Sequence, residues 1–85
     1  MIEKEVTVQL KTGLQARPAA QFVQEASRFT SDIFIIDGDK KVNVKSIMGL
    51  MSLAIGSGKT VTLAVDGQDE AEAVQVLETF MSKEN

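Results

Sequence analysis

The stretch Asn43-Val44-Lys45-Ser46-Ile47-Met48-Gly49-Leu50-Met51-Ser52-Leu53-Ala54 reads as the end of a strand, one serine, and then a short apolar helix. Ser46 stands where a helix takes its N-cap. Its side-chain oxygen can accept a hydrogen bond from a first-turn N–H that has no partner within the helix. Two roles fit the residue. It is a cap, or it is a cap that also carries a phosphoryl group. A phosphoryl group would bring about −1.5 to −2 charges to the positive end of the helix dipole. Such a change alters the surface without breaking the fold.

The phase of the helix separates its apolar residues. At about 100° per residue, Ile47, Leu50, Leu53 and Ala54 cluster on one side, a candidate core face. Met48 falls well away from that centre, and Met51 lies between Met48 and Ile47. Met48 and Met51 are three apart and therefore neighbours on the helix surface. About two turns of helix cannot bury all of these side chains against one sheet, so apolar surface is expected beside Ser46. Methionine suits an exposed docking surface because it is flexible and polarizable. It also suits gaps in a core, and phase alone leaves both open.

Outward from this segment, the chain alternates strands and helices. On the N-terminal side, Val6, Val8 and Leu10 alternate with Thr7 and Gln9, the pattern of a strand with one buried face. Lys11-Thr12-Gly13 forms a loop. Ala19, Phe22, Val23, Ala26 and Phe29 follow the spacing of an amphipathic helix, with Pro18 in its first turn and Gln15 near its N-cap. Ile33 to Ile36 is a strand by its β-branched and aromatic content. Asp37-Gly38-Asp39 is a hairpin turn, and Lys40 to Val44 returns with lysines suited to a sheet edge. On the C-terminal side, the Ser46 helix runs out at Gly56-Ser57-Gly58. Val61, Leu63 and Val65 mark a fourth strand. Asp69, Glu70 and Glu72 favour a helix start, and Ala73, Val74, Leu77, Phe80 and Met81 give that helix a buried face. Lys83-Glu84-Asn85 is expected to fray. The order βαββαβα predicts an α+β domain of two layers, an antiparallel sheet with helices on one face. A ferredoxin-like sheet shares the element order, so the strand order stays open.

Composition removes several functions. The chain has 85 residues, enough for one domain with one modest core. It has no Cys and no His. Disulfides, thiolate chemistry, Ser-His catalysis and histidine phosphotransfer have no residues to use. The net charge of −3 argues against nonspecific binding to nucleic acid or an anionic membrane. No apolar run approaches the ~20 residues that span a bilayer, and Met1-Ile2-Glu3-Lys4-Glu5 lacks the features of a signal peptide. The expected setting is the cytoplasm.

Gly56-Ser57-Gly58-Lys59-Thr60 imitates the end of a phosphate-binding loop, but that pattern needs glycine where Leu53 stands. The segment also leaves a helix and enters a strand, the reverse of the required context. The paired carboxylates lie on a solvated helix face or beside a turn and form no active site. The helix start at Gln15-Ala16-Arg17 offers unpartnered N–H groups and a guanidinium, which together suit an anion. An exposed arginine at a helix end fits equally. Gln15 itself cannot carry a phosphoryl group at neutral pH. No catalytic residue, metal site or cofactor is expected.

Gly13-Leu14-Gln15-Ala16-Arg17-Pro18-Ala19-Ala20 resembles the active-site segment G-L-H-A-R-P-A of the histidine-containing phosphocarrier family, HPr. Lys45 to Leu53 resembles the regulatory serine segment of the family in Gram-positive bacteria. The resemblance covers the whole chain. It implies an HPr-like open-faced β-sandwich, four antiparallel strands with three helices on one face. Where the family has its phosphorylated histidine, this chain has Gln15, so relay of phosphate from phosphoenolpyruvate through enzyme I is not expected. Glutamine there, with the serine motif intact, is similar to the catabolite-repression branch of the family in bacilli. That likeness implies phosphorylation of Ser46 by the bifunctional HPr kinase/phosphorylase. The phosphorylated form is then expected to act as corepressor for a LacI-type catabolite control protein. The implied docking residues are Ile47, Met48 and Met51 with Arg17 and Ala20. The alternative is a constitutive module that modulates a metabolic enzyme without phosphorylation. A homodimer formed by strand exchange is a further expectation.

Overall fold

The computed structural model describes residues 1–11 and 13–83. The expectations placed on Thr12, Glu84 and Asn85 lie outside them. The elements follow the expected order: β1 (Ile2–Thr7), α1 (Ala16–Ala26), β2 (Asp32–Asp37), β3 (Lys40–Asn43), α2 (Ile47–Ser52), β4 (Thr60–Asp66) and α3 (Glu70–Ser82). The four strands form one antiparallel sheet in the order β1-β4-β2-β3. The strand order left open by the sequence is thereby fixed, and the lysine-rich β3 is an edge, as its composition requires.

Register decides which residues meet the helices. Val6 lies opposite Val61, Leu63 opposite Ile35, and Val65 opposite Ile33. These side chains share one face and are buried. α3 packs over β1 and β4, α2 packs against β3, and α1 packs against both other helices. Phe22 of α1 meets Phe80 of α3 with ring centroids 5.6 Å apart. The opposite face of the sheet carries Glu3, Glu5, Thr62 and half-buried Phe34. The Lys41 ammonium sits 4.6 Å above the Phe34 ring centroid. A cation on an aromatic face is a weak attraction at such an exposed place.

Several boundaries move from where periodicity puts them. β1 ends at Thr7, although Val8 and Leu10 are buried as expected. Beyond Thr7 the chain exchanges bonds with the loop before β4: Val8 N–H donates to Lys59 O at 2.9 Å, and Gly58 N–H donates to Val8 O at 2.7 Å. Gln9 N–H then turns to Met81 O at 2.8 Å, so the chain leaves the sheet while its apolar residues stay inside. α1 stops at Ala26, short of Phe29: the Ser27 N–H and hydroxyl both donate to Val23 O, and the next two N–H groups, of Arg28 and Phe29, turn to the carbonyls three residues back, of Glu25 and Ala26. Val44 is buried but outside β3, its N–H bonded to Ile33 O.

α2 also ends earlier than expected, at Ser52 rather than near Gly56. Ala54, placed on the core face by helical phase, is exposed and has φ +50°. A residue past the helix end no longer follows helical phase. Leu53 and Ile55 are buried on either side of it.

Asp69 does more than place charge at a helix start. It makes no side-chain cap bond to α3. Its carboxylate accepts from the N–H groups of Thr30 and Ser31 at 2.9 and 3.0 Å and from the Ser31 hydroxyl. These donors favour the ionised form and hold its pKa below the ordinary 3.8, the Ser31 hydroxyl contributing most. Gly67 lies against the same corner. A Cβ there would stand 2.6 Å from Ser31 Cα, so only glycine lets the two loops approach.

Candidate functional site

The Ser46 turn is built by local polar residues before the helix begins. Asn43 Oδ1 accepts the Lys45 N–H at 2.9 Å, and Asn43 O accepts the Ser46 N–H at 3.1 Å. An asparagine holding the backbone two residues on is a turn former. Lys45 reaches the other way: its ammonium donates to Phe29 O at 2.8 Å. The residue before Ser46 is thus tied to the loop that Asp69 clamps. None of this is visible as periodicity. The sequence signal was Asn43 two residues before Lys45.

Ser46 is the N-cap of α2, with extended backbone (φ −109°, ψ 113°) and its Oγ accepting the Gly49 N–H at 3.3 Å. Ser46 O accepts the Leu50 N–H at 3.0 Å, the first bond of the helix. The capping expectation therefore holds, and the hydroxyl remains exposed. Gly49 leaves space beside it, since a Cβ there would stand 3.5 Å from Ser46 Oγ.

The apolar residues of α2 divide as size requires. Leu50 and Leu53 are buried, while Met48 is 79% exposed, Met51 46% and Ile47 36%. Apolar surface stands beside Ser46 as expected, and of the two roles that phase left open for the methionines the structure shows the exposed one. Ile47, assigned by helical phase to the core face, instead joins Met48 and Met51 at the surface. Six residues of helix lie over the edge strand β3, so only one side of α2 has a sheet to meet.

The second motif begins α1. Gln15 is its N-cap, extended (φ −134°, ψ 156°) and exposed, with no side-chain cap bond. Arg17 and Ala20 are exposed on the first turns, and Pro18 occupies the first turn as expected. This start is held from outside. Leu14 N–H donates to Ile55 O at 2.9 Å. Gly13, at φ +72°, packs so closely that a Cβ would meet the Ile55 carbonyl and stand 2.7 Å from Gly56 Cα. The loop before α1 is therefore seated on the loop after α2. Because α1 also packs on α2, the two motif segments belong to one helical layer.

Elsewhere the surface offers less chemistry. An open groove of about 320 Å³ lies between α1 and α3, lined by Glu25, Gln75, Val76, Thr79, Phe80 and Lys83. No residue of either motif lines it. Among the described residues, no three His, Cys, Asp or Glu side chains gather as a metal site, and no helix is long and apolar enough to cross a membrane.

Comparison with known proteins follows the same lines. Residues 2–83 match the family model for the PTS HPr component phosphorylation site. The chain is 69% identical over 84 residues to the HPr-like protein Crh of Halalkalibacterium halodurans, covering 99% of this chain and 100% of that one. Among solved structures, the phosphocarrier protein HPr of Bacillus anthracis superposes with a TM-score of 0.92 at 56% identity, over 94% of this chain and 95% of that one. Crh of Bacillus subtilis, solved as a dimer with a swapped domain, superposes at 0.77 with 60% identity, over 95% and 93%.

Proposed function

The chain belongs to the HPr family, and on that premise we propose that it is a regulatory member of carbon catabolite repression. In this reading it is the substrate of HPr kinase/phosphorylase and not itself a catalyst. Ser46 Oγ attacks the γ-phosphorus of ATP, ADP leaves, and the serine proton is lost. The phosphorylated chain then acts as corepressor of a LacI-type catabolite control protein in the cytoplasm. One observation carries the reading: an exposed capping hydroxyl stands beside an exposed Ile47–Met48–Met51 patch, while the phosphocarrier position holds Gln15.

The chemistry of docking follows from that juxtaposition. Phosphoserine supplies charge and three acceptor oxygens for a cationic group on the repressor. The apolar patch supplies burial beside it, and Arg17 and Ala20 extend the surface along α1. Gln15 offers no nucleophile, so phosphate relay from phosphoenolpyruvate is absent from this reading. The swapped-domain dimer of the Bacillus subtilis relative supports exchange of β1 between two copies as the route to a homodimer here.

A second reading is favoured by the patch alone, which is exposed without any modification. A constitutive module would dock unphosphorylated on a metabolic enzyme. Intact-mass measurement and peptide mapping after incubation with HPr kinase/phosphorylase and ATP separate the two. One added phosphate on Ser46 is the expected result. No phosphate on a folded protein would overturn the switch and leave the constitutive module.

A further inference from the structure

Two helices treat their methionines in opposite ways. On α2, Met48 is 79% exposed and Met51 46%, whereas Met81 on α3 is fully buried. Met48 and Met51 are three residues apart, so their thioethers lie along one ridge of the helix. Ser46 caps that same helix. The chain has no cysteine, so no thiol within it competes for an oxidant. A thioether this open reacts without any unfolding, while Met81 must wait for the core to open.

We propose that Met48 and Met51 form a peroxide-sensitive modification site whose oxidation switches off the apolar patch beside Ser46. In the reaction the sulfur lone pair attacks one oxygen of hydrogen peroxide. The O–O bond breaks as the S–O bond forms. The departing hydroxide takes up the proton released by the attacked oxygen and leaves as water. Sulfur is oxidised by two electrons, and the peroxide is reduced by two. The product is a polar, chiral sulfoxide where an apolar, flexible side chain stood. Methionine sulfoxide reductases restore the thioether, so the change is reversible. The consequence for repressor docking rests on the function proposed above. It leaves phosphoserine in place and removes the apolar half of the surface.

The test treats the phosphorylated protein with hydrogen peroxide and follows each methionine by peptide mass mapping. Met48 and Met51 are expected to oxidise at least about tenfold faster than Met81. Equal rates would overturn the site. Affinity for the catabolite control protein is measured before and after treatment and is expected to fall about tenfold or more. Unchanged affinity with both methionines oxidised would overturn the switch. Failure to bind before any peroxide is added would instead overturn the proposed function, with the mapping still deciding the site. A variant carrying Met48→Leu and Met51→Leu has no thioether on the patch, so whatever affinity it retains is expected to be the same before and after peroxide. A fall in its affinity on peroxide treatment as large as that of the parent protein would assign the effect elsewhere, for example to exposed Met1, and overturn the proposal.

Discussion

Ser46 and Gln15 occupy the same position on two neighbouring helices. Each is an N-cap, and each has extended backbone. Ser46 closes its own helix, its Oγ accepting the Gly49 N–H. Gln15 makes no such bond, and its helix start is held by Leu14 and Gly13 against Ile55 and Gly56. A cap residue that serves its own helix is constrained to a short oxygen-bearing side chain. A cap position supported from outside is released from that constraint, and its side chain is free to change chemistry. The difference means that the residue at position 15 can change while both helices stay in place.

The largest expected effect removes the α2 acceptor. Ser46→Ala should take up no phosphate from HPr kinase/phosphorylase and ATP, and its repressor binding should match that of unmodified protein. The structural cost should be small, about 0.5–1 kcal/mol for a lost cap. A thermal melt confirms folding. Binding by the Ala variant as tight as that of the phosphorylated form would break the comparison at its functional end.

The α1 start should be more sensitive to its support than to its cap. Gly13→Ala places a Cβ into the Ile55–Gly56 backbone at a left-handed φ, and should cost roughly 2–4 kcal/mol. Its denaturant midpoint should fall further than that of Ser46→Ala. The reverse ranking would mean that α1 does not depend on the loop after α2. Gln15→His tests the freedom at the cap itself. With backbone and Arg17 already in place, it should accept some label from phosphoenolpyruvate through enzyme I. A folded variant with no label would show that the loop no longer has carrier geometry.

The third helix start sharpens the contrast. Asp69 holds another loop with its carboxylate, and its depressed pKa has a defined sign. The stabilisation is fully present above the unfolded value near 3.8 and is lost as pH falls through the lower folded value. Asp69→Asn should therefore lower the melting temperature at pH 7. The gap from the parent protein should narrow only below about pH 4. The smallest change concerns Ala54. Glycine tolerates its φ of +50°, so Ala54→Gly should stabilise by about 0.5–1 kcal/mol, read as a small rise in denaturant midpoint.

Periodicity carried the architecture because it reports burial. Val6, Phe22, Ile33, Leu63 and Leu77 lie inside as their spacing requires. It failed where burial and regular structure part company. Val8, Leu10 and Val44 are buried outside strands, Val8 held by two backbone bonds and Leu10 and Val44 by one each. Ala54 turned exposed because α2 had already ended. Ile47 was misread because phase cannot know that α2 lies over an edge strand. At the site, Ser46 was legible as a cap from capping chemistry, while phase set Met48 and Met51 off the core face but left open whether they were exposed. The Lys45–Phe29 and Asp69–Ser31 ties join residues far apart in sequence. Only the folded chain brings them together.

The strand order β1-β4-β2-β3 has a consequence for synthesis. β1 emerges before the other three strands, yet among the described residues its one neighbour in the sheet is β4, with Ile2 opposite Val65. During translation at the usual pace, β1 waits roughly 3–12 s before β4 has been made. The β2–β3 hairpin can close early, but the sheet cannot complete its other half until Thr60–Asp66 has been made. Through that interval β1 is an unsatisfied edge, and a β4 from any copy would fit it. How densely ribosomes crowd one message would then influence whether a newly made chain closes on itself or on its neighbour.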